Sequence, residues 1–348
     1  MSRETSKHLN TNVLIGFTEK RGNAWHYRAD LQDIDPVTGH VGNHYRGPIP
    51  IDHVERRLFD WDVAEMPSYA GMPGGEDGEA LEVIEDPHRK ALVHPETGEI
   101  FNVVSKKYQP HQYRETLLEM TGRILDDDLS IGSAGLLRGG ARAWVSVEIP
   151  ETVKTKDGVA FRPNLISCTS FDGTLPTTWK RHMTIVVCDN TMDMAMAEKG
   201  QEHKIRHTKN SLKVLNAREA LNIVFEDTEA FENKLNALCH KRVTTKQWAN
   251  FLDVHIPLPE EDGRGKTMAE QKRDQYENLW RNDERVSPWK GTRFGVLQCA
   301  NTWQHHMSSL KGGETMRAEK NMVNALNGST GRDDAQTIAD LEKAFALA

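Results

Sequence analysis

The chain has 348 residues, 37% of them hydrophobic and 27% charged, and its formal net charge is −7 at pH 7. A chain of this length can bury a sizeable core, and its acidic balance argues against a protein that coats nucleic acid uniformly. No apolar run reaches the ~20 residues that a membrane-spanning helix needs, and the amino terminus lacks the apolar stretch of a signal peptide. We therefore expect a soluble, cytoplasmic protein with no membrane partner.

The first 88 residues are predicted to hold little regular structure. Residues 1–65 read as an irregular arm that ends in a short helix near Pro50. Residues 66–88 are rich in glycine and acidic side chains, which is typical of a flexible loop. A hairpin is expected over residues 90–105, because two apolar runs flank a turn with proline early and glycine late. A helix over residues 112–125 should follow.

The rest of the chain divides into a strand-rich part and a helical part. Apolar and polar residues alternate over residues 141–149, which predicts a strand with one apolar face. Further strands are expected up to residue 210, so that residues 89–210 form the core. Residues 211–348 show helical periodicity, broken by glycines that act as stop signals. The sequence therefore predicts an α+β fold, in which a largely antiparallel sheet packs against helices.

Aromatic and basic residues are interleaved on the predicted strands between residues 131 and 208. Residues 131–220 hold 13 Lys and Arg against 9 Asp and Glu, so the middle of this acidic chain is basic. Indole rings stack on bases and cations neutralise phosphates, so this pattern favours a nucleic-acid-binding surface. The candidate binding residues are Arg138, Arg142, Trp144, Trp179, Lys180, Arg181, Lys204, Arg206 and His207. The alternative is that both tryptophans belong to a second core layer and the cations line a solvated edge.

Other kinds of chemistry have weaker signals. His203 and His207 have the spacing of two metal ligands on a helix, but their segment looks extended and lacks the glutamate of zinc proteases. Cys188 ends an apolar strand and reads as a buried thiol rather than a nucleophile. Asp172, Asp189 and Glu148 could form a two-metal nuclease centre, although no spacing rule supports them. Neither a P-loop nor a dinucleotide-binding fingerprint is present, and the sequence names no cofactor.

A series of short motifs runs along the chain. The motifs are Gly22-x-Ala24-Trp25-His26, Val103-Val104-x-x-x-Tyr108, Leu136-Leu137-Arg138-Gly139-Gly140, Ser170-Phe171-Asp172-Gly173-Thr174, Val186-Val187-Cys188-Asp189-Asn190-Thr191 and Ile205-Arg206-His207-Thr208. Together they resemble the DUF932 family, in particular its phage/plasmid-like branch. The resemblance implies a protein of phages, plasmids or other mobile elements, in the cytoplasm of a bacterial host. It implies no catalytic residues, because the family has no established activity.

The leading hypothesis is a DNA-transaction protein that binds single-stranded nucleic acid and supports annealing or recombination without hydrolysing nucleotides. A metal-dependent nuclease is the first alternative. The second is an effector that binds a host or phage protein, with an acidic surface that mimics nucleic acid. Whether the protein is an enzyme and whether it forms homo-oligomers both stay open.

Overall fold

The computed structural model describes residues 12–16, 44–45, 47–72, 82–125, 129–148, 153–185, 191–192, 202–205, 228–308 and 313–347. Its strands are β1 Val13–Gly16, β2 His44–Tyr45, β3 Ala64–Met72, β4 Glu82–Val93, β5 Ile100–Ser105, β6 Ser130–Leu137, β7 Arg142–Glu148, β8 Val153–Lys154, β9 Ala160–Ser170, β10 Thr177–Ile185, β11 Thr191–Met192 and β12 Glu202–Ile205. Its helices are α1 Ile51–Leu58, α2 (a π-helical turn, Arg114–Glu119, then Met120–Gly122), α3 Thr228–His240, α4 Thr245–His255, α5 Arg264–Asn282, α6 Arg293–Thr302 with a π-helical extension Trp303–Met307, α7 Gly313–Leu326 and α8 Ser329–Ala346.

A nine-stranded sheet forms the centre of the fold. Its strand order is β11-β10-β9-β7-β6-β1-β2, with β12 also paired to β10 and β8 to β9. All pairs are antiparallel except β1 with β2. Strand β1 pairs with β6, so the expectation of an irregular arm before the short helix was wrong for residues 13–16. The predicted α+β class and the largely antiparallel central sheet are confirmed.

Both faces of β7, a strand in the middle of the central sheet, are covered. On one face, Ala143 and Val145 of β7 pack with Tyr113 and Leu117 beside α2. The opposite face of the same strand buries Trp144 against α7. A strand between two helical layers has no solvated side, so the expectation of one apolar face on β7 was wrong.

The helical part has a core of its own and also shares apolar clusters with the sheet. Helices α4, α5, α6 and α8 bury a common cluster that includes Trp248, Phe251 and Leu341. A second cluster joins Phe161 of β9 to Phe231 of α3. The helices are therefore packed on the sheet through shared apolar contacts. No helix among the described residues is both long and apolar enough to cross a bilayer.

A second sheet, β3-β4-β5, lies beside the central one. The hairpin expected over residues 90–105 is confirmed, but it belongs to this smaller sheet. Residues 66–88 were expected to be a flexible loop, and that was wrong for the parts that β3 and β4 occupy. The register between these strands shifts between Pro67 and Tyr69, and such an irregularity hides the alternation that marks a strand.

Candidate nucleic-acid interface

The two candidate tryptophans of the strands lie in the core. Trp144 and Trp179 are each 0% exposed. Trp144 lies across Gly135 on β6, where any side chain would overlap the indole ring, and it packs against Met322 and Leu326 of α7. Trp179 packs with Met120 and Ile124 of the α2 region. Neither ring can stack on a base in this fold, so their assignment to a binding surface was wrong and the core interpretation was right.

Lys180 is buried as well, at 2% exposure. Its Nζ donates a hydrogen bond of 2.5 Å to the carbonyl oxygen of Ala325, in the last turn of α7. A cation at a helix carboxyl terminus satisfies free carbonyl groups and complements the helix dipole. Lys180 therefore joins the central sheet to α7 and is not available to phosphates.

Arg142 forms an ion pair with Asp172 in the loop after β9. Its Nε lies 2.6 Å from Asp172 Oδ2, and both side chains are mostly buried. The backbone N–H and the hydroxyl of Thr174 both donate to the other carboxylate oxygen. Burial by itself would raise the pKa of the Asp172 carboxyl, but the hydrogen bonds from Thr174 and Arg142 outweigh it and lower the pKa. The pair holds the Ser170–Thr174 loop against β7. Because Arg142 is engaged with Asp172, it is a poor candidate for binding phosphates.

Arg138 is exposed at this end of the sheet. It lies in the turn between β6 and β7 with a φ of 54°, followed by Gly139 and Gly140, which also have positive φ. The Tyr113 hydroxyl donates to the Gly140 carbonyl at 2.7 Å, and its ring stacks on Phe171 at 4.2 Å. The motif loops at residues 136–140 and 170–174 therefore meet around buried aromatic rings, which fixes the backbone there.

The other candidate cations and the metal alternative can be placed only in part. Arg181 lies on β10 and Lys204 on β12, while Arg206 and His207 fall outside the described residues. Glu148 and Asp172 lie near opposite ends of β7, and Asp189 is outside the described residues. In the part of the chain that the structure describes, no three His, Cys, Asp or Glu side chains form a possible metal site.

A cavity in the helical part combines the features that were expected on the strands. Its volume is about 420 Å³, and it lies between α4, α5 and the turn that precedes α6. The lining residues are Val243, Thr244, Thr245, Trp248, Glu277, Trp280, Arg281, Lys290 and Gly291. The rings of Trp248 and Trp280 are stacked at 4.4 Å with an interplanar angle of 10°. Trp248 is buried and Trp280 is partly exposed, so the pair forms a fixed aromatic wall.

Hydrogen bonds fix the polar side of this cavity. Trp248 Nε1 donates to Glu277 Oε1 at 2.7 Å, and Glu277 Oε2 lies 2.9 Å from Arg281 Nη2. Thr244 caps α4 and forms a capping box with Gln247, so the amino terminus of α4 is fixed at the cavity. The partial positive charge of a helix amino terminus favours an anion at this position.

Exposed cations lie in the lining of the cavity and beside it in sequence. The Val243 N–H donates to the Gly291 carbonyl and the Arg293 N–H to the Lys241 carbonyl, so the segment before α4 runs beside the segment before α6. These two segments and the neighbouring ends of α4 and α5 carry five exposed basic residues, Lys241, Arg242, Lys246, Arg281 and Lys290. Among the lining residues Glu277 is acidic, and it is paired with Arg281. The five cations outnumber the acidic residues of the same stretch, Glu277, Asp283 and Glu284, so the rim is positively charged although the whole chain is acidic.

The sequence contained a signal for this cavity. The stretch from Lys241 to Trp248 interleaves cations with an indole, which is the pattern that pointed to the strands. Trp280 follows Trp248 by 32 residues, and no spacing rule connects the two. The contact between α4 and α5 brings the two rings together.

Comparison with known proteins places the chain in a family. The model of DUF932, a domain of unknown function, matches residues 100–329, which is well over half of the chain. The chain belongs to the DUF932 family. The region that matches DUF932 includes the motif loops and the whole cavity, whereas β3 and β4 lie before it. No curated protein and no solved structure matches the chain.

Proposed function

We propose that this DUF932 protein binds single-stranded nucleic acid at the cavity between α4 and α5. The observation that carries the proposal is the stacked Trp248–Trp280 pair within a rim of exposed cations. Sequence-tolerant single-strand binders combine aromatic rings for the bases with cations for the backbone. The cavity offers both within one helical unit.

Each part of the cavity has a distinct role in this proposal. A base enters and contacts the Trp280 ring, which is worth about 1–3 kcal/mol per stacked base. The phosphates beside it lie near Lys246, Lys290 and the amino terminus of α4, and their neutralisation releases counterions. Because the cavity holds few bases, a longer strand gains affinity mainly through further phosphate contacts along the rim.

We also propose a biological setting, which rests on the resemblance of the motifs to the phage/plasmid-like branch of the family. A phage or plasmid protein that holds single strands supports annealing or recombination in the cytoplasm of its bacterial host. The proposed site needs no nucleotide hydrolysis, because stacking and phosphate contacts alone supply the binding free energy.

The test is fluorescence anisotropy of labelled oligothymidine over a range of salt concentrations. The intact protein should bind, and its affinity should fall as salt rises. Lys290→Glu should weaken binding by about tenfold or more, because it places a negative charge beside the phosphates. Trp280→Leu should weaken it through the lost stacking. The matched control is Arg123→Glu, which makes the same change in net charge at an exposed position near the end of α2.

The same assay addresses the alternatives. Failure of the intact protein to bind oligothymidine at low salt would overturn the proposal. If Arg123→Glu and Lys290→Glu reduced the affinity for oligothymidine equally, net charge, and not the cavity, would govern binding. Cleavage of the oligonucleotide that stops on addition of a chelator would favour the nuclease. A pull-down that returns a host protein and no nucleic acid would favour the effector.

A further inference from the structure

Glu277 is acidic and lines the helical cavity beside the tryptophan pair. It precedes Trp280 by three residues on α5, so the two side chains lie on the same face of the helix. Its carboxylate accepts the hydrogen bond from Trp248 Nε1, and the Trp248 ring stacks on that of Trp280. A base that stacks on Trp280 therefore has this carboxylate as its neighbour.

The Glu277 carboxylate can accept further hydrogen bonds. Its Oε1 accepts from Trp248 Nε1 at 2.7 Å, and its Oε2 lies 2.9 Å from Arg281 Nη2. An ionised carboxylate has about four lone-pair sites, and these two contacts use one on each oxygen. The Glu277 side chain is 32% exposed, so a ligand in the cavity can reach it.

The bases differ in what they offer to a carboxylate. Guanine presents two adjacent donors, N1–H and the N2 amino group, which match the two carboxylate oxygens and form paired charge-assisted hydrogen bonds. Cytosine and adenine each present one amino group beside a ring nitrogen that accepts. Thymine places a carbonyl oxygen on either side of its N3–H, and these oxygens are repelled by a negative charge. A carboxylate beside the stacked ring therefore favours guanine and disfavours thymine.

The other polar side chains of the lining discriminate less between bases. The Thr244 hydroxyl is engaged in the capping box of α4, and the Thr245 hydroxyl can donate or accept. Arg281 and Lys290 are exposed cations of the rim, where the phosphates are proposed to lie. Glu277 is therefore the lining residue that can distinguish one base from another.

We propose that the cavity prefers guanine at one position of a bound single strand and that Glu277 determines this preference. The inference rests on the proposed function and adds a base preference to it. Trp280 supplies the stacking that every base can make, and Glu277 supplies the paired hydrogen bonds that guanine makes best. The rest of the strand is held through its phosphates, without regard to sequence.

The test compares short oligothymidine with the same strand carrying one central guanine, by competition in the anisotropy assay. The intact protein should bind the guanine strand about fivefold or more tightly. Glu277→Gln should reduce this preference to about twofold or less, since the amide keeps an oxygen for Trp248 Nε1 but loses the charge and the second acceptor. It should bind oligothymidine at least as tightly as the intact protein, because a negative charge near the phosphates is gone. A loss of fold would instead weaken the binding of both strands.

Glu284→Gln is the matched control, since Glu284 is exposed just after α5 and does not line the cavity. It makes the same change in net charge and should keep the guanine preference. Equal affinity of the intact protein for the two strands, a preference that survives in Glu277→Gln, or equal weakening of both strands in that variant would each overturn the inference. Oligothymidine binding without a guanine preference would overturn this inference alone, whereas no binding of either strand would overturn the proposed function as well.

Discussion

Replacing Asp172 by Asn tests whether the Arg142–Asp172 ion pair of the motif loops stabilises the fold. Asn has nearly the same shape and can still accept the hydrogen bonds from Thr174, so the turn can form. What disappears is the negative charge that faces the Arg142 guanidinium at 2.6 Å. The Arg142 side chain is 13% exposed and that of Asp172 16%, so water replaces little of the lost interaction.

The expected cost follows from these contacts. A hydrogen bond to a charged group contributes about 1.5–3 kcal/mol, and a cation left mostly buried without its partner adds a desolvation penalty. We therefore expect Asp172→Asn to lower the free energy of unfolding by about 2–3 kcal/mol near neutral pH. Nucleic-acid binding by the folded variant should be unchanged, because the loop after β9 does not line the helical cavity.

The pH dependence gives a second check on the same variant. The pKa of Asp172 is lowered in the folded protein, so its contribution to stability is present above the unfolded pKa of about 3.9 and is lost as pH falls through the folded pKa. The difference in free energy of unfolding between the intact protein and Asp172→Asn should therefore become smaller as the pH is lowered. Urea unfolding at several pH values measures it. An equal difference at all pH values, or no difference at neutral pH, would refute this account of the pair.

Three further results are expected. Trp144→Ala should destabilise the fold by about 3–5 kcal/mol, as for other buried aromatic residues, and thermal unfolding measures the loss; normal stability with lost oligonucleotide binding would contradict burial. Burial lowers the pKa of His111 from 6.5 to about 4, so the fold should lose stability as the pH falls through this window. His111→Gln should lose less free energy of unfolding over this range than the intact protein. Equal losses of free energy in the two proteins would contradict this. In the native state Ellman's reagent should leave three buried thiols unmodified. Burial and Asp157 raise the pKa of the Cys239 thiol to about 12, and Cys168 and Cys299 are fully buried. Rapid modification of all cysteines would contradict this prediction.

Much of the fold could be predicted from local patterns. The hairpin at residues 90–105 has a turn with fixed residue preferences, and the helix over residues 112–125 has a clear apolar face. Periodicity predicts the last two helices over residues 316–326 and 334–346, and in the structure they begin three and five residues earlier, at Gly313 and Ser329. Strand β3 could not be predicted, because Gly, Pro and acidic residues surround it and its pairing depends on β4.

The candidate site was harder to predict than the fold. Whether one or both faces of a strand are covered depends on tertiary packing, which local sequence does not show. Arg142 and Trp144 alternate with small apolar residues, and this pattern alone cannot show that α7 lies on the polar face. Lys180 looked like a phosphate ligand because nothing nearby in sequence neutralises it, whereas its partner is the carbonyl of Ala325, 145 residues further along the chain. The Trp248–Trp280 pair was missed for the same reason, since only the packing of α4 on α5 creates it.

Photo-crosslinking of bromodeoxyuridine-substituted single strands to the intact protein tests the central proposal most directly. Halogenated bases react on irradiation with aromatic side chains in contact with them, and mass spectrometry identifies the modified peptides. The cavity predicts crosslinks in residues 241–248 and 280–291, which disappear in Trp280→Leu and persist in Arg123→Glu. Crosslinks confined to the strand-rich part of the chain, or none at low salt, would contradict the proposal.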